Sequence, residues 1–202
     1  MDVKARTRLL ALGGVVGPAT FVAAWAVCGA TTDGYSPVHD AISDLAAVGA
    51  PTRVAMTGAF LVFSVGVVAF GCALRTALEG RAWVAAVGTG VCTLGVAATP
   101  LGGWSGDTVH GIFAGLGYVM IAALPLLASI PLAARGRRGW AIASRATGVT
   151  AALCLAATTL GPAHGLWQRL GLTVGDTWIV VTALALAGTS GPFAARRDTV
   201  SL

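Results

Sequence analysis

Apolar residues run in six long stretches along the chain, approximately 9–29, 54–74, 82–101, 110–133, 141–161 and 177–195, parted by short polar connections. Each is close to the roughly 20 apolar residues that a helix needs to cross a hydrocarbon core of about 30 Å. The pattern predicts an all-α fold: a polytopic transmembrane helix bundle of about six spans, with residues 1–202 forming a single transmembrane domain. Six spans and their connections nearly exhaust the 202 residues, leaving no room for a separate soluble domain. The first run follows Lys4, Arg6 and Arg8 but is longer than a typical signal-peptide core, so it reads as an uncleaved span.

Composition agrees with this pattern. Hydrophobic residues make up 56% of the chain and charged residues 10%, with a mean hydropathy of +0.81. A soluble domain carries roughly 25% charged residues, so most of this surface must face lipid. The net charge of +5 raises the question of nucleic acid, but the basic residues sit in clusters between apolar runs, where topology signals belong. No nucleic-acid partner is expected. Lys4, Arg6, Arg8, Arg75, Arg81, Arg135, Arg137, Arg138, Arg145, Arg196 and Arg197 fall on one side, and only Arg53 and Arg169 on the other. This asymmetry predicts a plasma-membrane protein with both termini cytoplasmic. The excess of arginine over lysine, with abundant Ala, Gly and Val, is the bias of a GC-rich bacterial genome. Cys28, Cys72, Cys92 and Cys154 all lie in apolar runs without CxxC spacing and read as small buried hydrophobes.

With that topology the polar residues sort to the outer face. His39, His110 and His164 lie in or beside outer connections, as do Asp33, Asp40, Asp44, Asp107 and Asp176. The longest connection, 30–53, contains Ser36-Pro37, a helix start with the hydroxyl as N-cap and proline at the first position. A short amphipathic helix is expected there, ended by Gly49 and Pro51, with Val38, Ile42 and Leu45 on one face. Asp40, Ser43 and Asp44 would line another, with His39 one turn from Ser43. Two carboxylates one turn apart repel, so one holds its proton in a dry site and gives a general acid beside a general base. The alternative is a solvated interfacial helix with ordinary surface acids.

Gly106-Asp107-Thr108 and Gly175-Asp176-Thr177 each precede an apolar run, where an aspartate caps the span's exposed N–H groups. His110 opens the fourth span, and His164 is expected in a loop continuing through Trp167, Gln168 and Arg169. Three histidines and an aspartate could ligate zinc, but none shows the local spacing of a ligand pair, so no cofactor is expected. Trp104, Trp167 and Trp178 suit an interfacial aromatic belt. Arg169 is expected to pair with an aspartate or grip a phosphate. The spans as drawn hold no mid-membrane Asp, Glu, Lys or Arg, which argues against an ion-coupled transporter. Among the many glycines, Gly111-x-x-x-Gly115 is a small-xxx-small pattern that supports close helix packing.

The stretch Gly34-Tyr35-Ser36-x-x-x-Asp40-x-Ile42-Ser43-Asp44-Leu45, His110 opening a span, and the Gly165-x-x-Gln168-Arg169 loop resemble the bacterial and archaeal membrane family catalogued as domain of unknown function 998. That resemblance covers nearly the whole chain and implies about six spans with an outward polar cluster, but no reaction. The chain is distantly similar to ceramidase and adiponectin-receptor type hydrolases, whose Ser, Asp and three His build a zinc site, but it lacks their paired HxxxH.

The expectation from these residues is a membrane-embedded enzyme with an outward-facing site. Asp40 and Asp44 would form its acid/base pair, assisted by His39, His110 and His164. Tyr35, Ser43, Trp104, Asp107, Trp167, Gln168 and Arg169 would bind a lipid-like or isoprenoid-like substrate for hydrolysis, isomerisation or cyclisation. The alternative is a non-enzymatic protein that binds lipid or transports a small molecule.

Overall fold

The computed structural model describes residues 2–188, which contain helices and turns and no strand. Helices α1 (Val3–Ala11) and α2 (Gly13–Thr31) meet at Leu12 and together make the first crossing. The others are α3 (Arg53–Ala77), α4 (Ala82–Ala98), α5 (Asp107–Ala134), α6 (Arg138–Ala157) and α7 (His164–Ala187). Five crossings are long and apolar enough to span a bilayer, and α4, with 17 residues, is the short one. Side chains such as Val65, Ile130 and Leu153 stand exposed on the outside of the bundle, while Arg169, Asp176 and Gln168 are buried within it. This arrangement suits a lipid solvent. The chain is a multi-pass membrane protein.

Consecutive helices pack side by side, and α7 returns against α1 and α2 to close the ring. Small residues set the closest approaches. A Cβ on Gly66 of α3 would lie 2.5 Å from the Gly13 carbonyl oxygen and 3.0 Å from the Gly17 Cα of α2. A Cβ on Gly95 would strike the Phe113 ring, so α4 and α5 are equally tight. Gly111 and Gly115 do not take part: a Cβ on either meets nothing within 4 Å. The small-xxx-small pair that packs here is Gly13 and Gly17. All four cysteines are free, but only Cys28 is buried and Cys72 is exposed, which corrects their reading as uniformly buried.

The last crossing departs most from expectation. It begins at His164, not near residue 177. Gly175-Asp176 is therefore no cap. Gly175 lies mid-helix, where a Cβ would sit 2.8 Å from Ile121 Cγ1, so this glycine marks close packing rather than a helix start. His164, Trp167, Gln168 and Arg169 are helical rather than loop residues. Trp178 leaves the aromatic belt: it is buried, and its Nε1 donates to Ser144 Oγ at 2.9 Å. Arg169 and Asp176 now place two ionisable groups inside a span, where none was expected. Arg196, Arg197 and the end of the predicted sixth run lie outside the described residues.

The predicted short helix is also smaller. Residues 37–40 form turns, and a 3-10 helix follows at Ile42–Ala46. Ile42 and Leu45 are buried as expected, but Val38 is exposed. Gly49, at φ 89°, takes the left-handed conformation that glycine adopts without Cβ strain and turns the chain toward α3.

Candidate functional site

At one end of the bundle the 32–52 connection is folded over the helices and fastened to the start of α7. Gly165 makes room for it: a Cβ there would strike the Asp40 carbonyl oxygen and lie 2.9 Å from that of Pro37. The Leu166 N–H donates to Val38 O at 3.0 Å. His39 Nδ1 donates to Pro162 O at 2.7 Å, because a carbonyl oxygen can only accept.

Arg169 holds the centre of this clasp. Its Nη1 donates to the carbonyls of Pro37 (2.8 Å), Asp40 (3.0 Å) and Gly165 (3.0 Å), and its Nη2 to the Tyr35 hydroxyl. The guanidinium also lies 5.3 Å from the centre of the Trp25 ring and 5.4 Å from that of Tyr35. A planar five-donor group suits several backbone acceptors and two aromatic faces at once. The expected ion pair is absent: no carboxylate lies within ion-pair distance of Arg169 among the described residues. Tyr35 passes the chain of bonds on, donating to Ala41 O at 2.8 Å. Burial raises the Tyr35 phenol above its usual pKa, against the opposing pull of Arg169 and helped slightly by Asp44 and Asp40. The phenol therefore stays neutral at physiological pH.

Gln168 fastens the other side. Its Oε1 accepts from the Ile42 N–H at 2.8 Å, and its Nε2 donates to the Tyr118 hydroxyl of α5. Adjacent residues of α7 thus grip the same connection from two faces.

Beneath this roof lies a cleft that encloses, with the solvent at its mouth, about 550 Å³ of empty space. Ile42 and Ser43 cover it. Phe21, Phe60 and Phe63 of α2 and α3 form one wall, and Thr89, Thr93 and Val96 of α4 another. Helix α5 presents a stripe at helical spacing, His110, Phe113, Ala114, Gly117, Tyr118 and Ile121, and α7 adds Gln168 and Leu172. The lining contains no Asp, Glu, Lys or Arg.

His110 is the cleft's most reactive group. It is buried, and its Nδ1 donates to Thr99 O at 2.7 Å. With Nδ1 as donor, the neutral imidazole has Nε2 as its acceptor. Nε2 is buried and has no hydrogen-bond partner in the protein.

The carboxylates expected to form an acid/base pair serve their own backbone. Asp40 Oδ2 accepts from the Ser36 N–H at 2.6 Å, and Asp44 Oδ2 from the Ala41 N–H at 2.8 Å. Neither lines the cleft. Asp107 stands in the first turn of α5 but does not cap it: Gly106 is the N-cap, no side chain bonds the helix N–H groups there, and Asp107 Oδ1 receives the loop N–H of Gly102 at 2.8 Å. His164 starts α7, Trp104 is largely exposed, and Trp167 faces outward. Of the predicted site residues, only Ser43, His110 and Gln168 reach the cleft, while Tyr35, His39, Asp40 and Arg169 meet in the clasp. Among the described residues, no three His, Cys, Asp or Glu side chains are grouped to hold a metal.

The phenylalanine wall, the two threonines and Tyr118 were missed. The α5 stripe was readable as i, i+3, i+4, i+7, i+8, i+11 spacing, but in a uniformly apolar helix no polar face singles it out.

Asp176 stands apart, deep in α7 with both carboxyl oxygens buried and unpartnered. Removing unsatisfied polar atoms relieves their desolvation, so Asp176→Leu, which keeps the branching at Cγ, is expected to stabilise the fold by about 1–3 kcal/mol. A thermal melt in detergent checks this, and a lowered Tm contradicts it.

No curated protein and no solved structure matches the chain. A family model described as a protein of unknown function, DUF998, matches residues 15–185, a stretch that contains the clasp and every residue lining the cleft. The two segments that carried the resemblance, 34–45 and 165–169, are the two halves of the clasp, and on the extent of that match the chain belongs to the domain of unknown function 998 family.

Proposed function

We propose that this protein is a plasma-membrane binding protein for a lipid-like small molecule, held in the cleft under the 32–52 connection. The charge asymmetry of the connections supports both termini being cytoplasmic, which would set the roof and cleft at the outer face. The observation that carries the reading is the lining: aromatic and aliphatic side chains, no Asp, Glu, Lys or Arg, and a few polar groups. Apolar sites with a small number of placed polar groups are the usual form of a binding pocket. Arg169, the natural grip for a phosphate, is occupied by the roof itself.

A second reading, catalysis, has one observation in its favour: His110, a residue lining the apolar cleft, has a buried Nε2 with no protein partner and could serve as a base. In that reading His110 takes the role first expected of Asp40 and Asp44. Loss of lipid turnover in His110→Ala, with lipid still bound, would favour it over simple binding.

The binding reading is tested by filling the cleft. Ala114 lies in the α5 stripe and is only half-buried, so Ala114→Phe should occupy the space and abolish binding of apolar molecules while the protein stays folded. Unchanged binding to the folded variant would place the ligand elsewhere.

A further inference from the structure

The polar groups of the cleft specify more than an apolar occupant. His110 spends its Nδ1 proton on Thr99 O, so in the neutral imidazole its buried Nε2 is an acceptor without a protein partner. Tyr118 Oη accepts from Gln168 Nε2, which leaves the phenolic proton to donate. The Thr89 and Thr93 hydroxyls, on residues that line the cleft, give their protons to Ala85 O (2.9 Å) and Thr89 O (2.9 Å), which leaves only their lone pairs to offer. A site with acceptors, a donor and no charge matches a group that both donates and accepts and is itself neutral.

We infer that the cleft takes a neutral lipid alcohol, its hydroxyl donating to His110 Nε2 and its hydrocarbon chain lying among the phenylalanines. This rests on the cleft being the binding site proposed above and adds the chemical class of the ligand. An ether or hydrocarbon of the same shape leaves Nε2 unsatisfied, a cost that an alcohol removes. A phosphate or carboxylate would bring a charge into a lining with no cation to meet it.

The test measures binding of farnesol, farnesyl methyl ether and farnesyl monophosphate to the purified full chain in detergent, by native mass spectrometry. The wild-type protein is expected to bind the alcohol about three- to tenfold more tightly than the ether, and the monophosphate more weakly than both. His110→Phe keeps the ring and removes the acceptor, so the alcohol's advantage should fall to nothing while the ether still binds. Should that variant fail to fold, the comparison of alcohol with ether on the wild-type protein decides by itself. Equal binding of alcohol and ether, both lost in Ala114→Phe, overturns the alcohol and leaves the cleft standing. Tightest binding of the monophosphate overturns it in favour of an ionic head group. No binding of any of the three, or equal binding to Ala114→Phe, overturns both readings together.

Discussion

Arg169→Met is expected to destabilise the protein by about 2–5 kcal/mol, because at least two roof carbonyls, Pro37 O and Asp40 O, lose their donor at about 1–3 kcal/mol each. Methionine retains the length of the stem but offers no N–H and no cation to the Trp25 and Tyr35 rings. For a chain of this size the shift is at least about 4 °C in Tm. Arg169→Lys should recover only part of it, since an ammonium has three donors and no plane to lie against an aromatic face. The roof should loosen before the bundle does, so a cysteine placed at Ser43 should react faster with a water-soluble maleimide in Arg169→Met than in the Arg169 background. An unchanged Tm and an unchanged labelling rate would show that the connection is held by something other than this clasp.

The second large effect lies at the other side of the bundle. Gly66→Ala puts a Cβ 2.5 Å from the Gly13 carbonyl oxygen, and because the opposing atom is backbone, no side chain can rotate away. Overpacking of this kind costs about 1–3 kcal/mol. Gly66→Leu should leave no monodisperse protein on size-exclusion chromatography. Gly111→Leu, facing open space, should behave as the wild type. If both leucine variants elute alike, the α2–α3 contact is not the close approach described.

The spans were legible because lipid demands them: apolar runs long enough to cross, with arginines clustered at their ends. What misled was local resemblance. Gly175-Asp176-Thr177 has the letters of a cap, as Gly106-Asp107-Thr108 does, but only the second stands at a helix start. The glycine of the first is there for Ile121, a contact with another helix that no local window contains. The same error placed Arg169 in a loop and left the last span free of charge.

The candidate site was legible in part, for a similar reason. Residues 34–45 and 165–169 stood out because their polar atoms are unusual in so apolar a chain, and they do meet. Their work is structural, however: Asp40 and Asp44 cap turns, and Arg169 binds carbonyls. The cleft is lined mostly by phenylalanine, threonine and small residues from five helices, each ordinary where it stands in the sequence. His110 was singled out correctly as a residue, but its orphaned Nε2 follows from the Thr99 carbonyl, which is visible only in three dimensions.

The most direct test of the cleft as a binding site is native mass spectrometry of the wild-type chain and Ala114→Phe, each extracted in mild detergent from the same cells. The account predicts one apolar small molecule bound per wild-type chain and none on the folded variant. A bare wild-type chain, or the same adduct on both proteins, would contradict it.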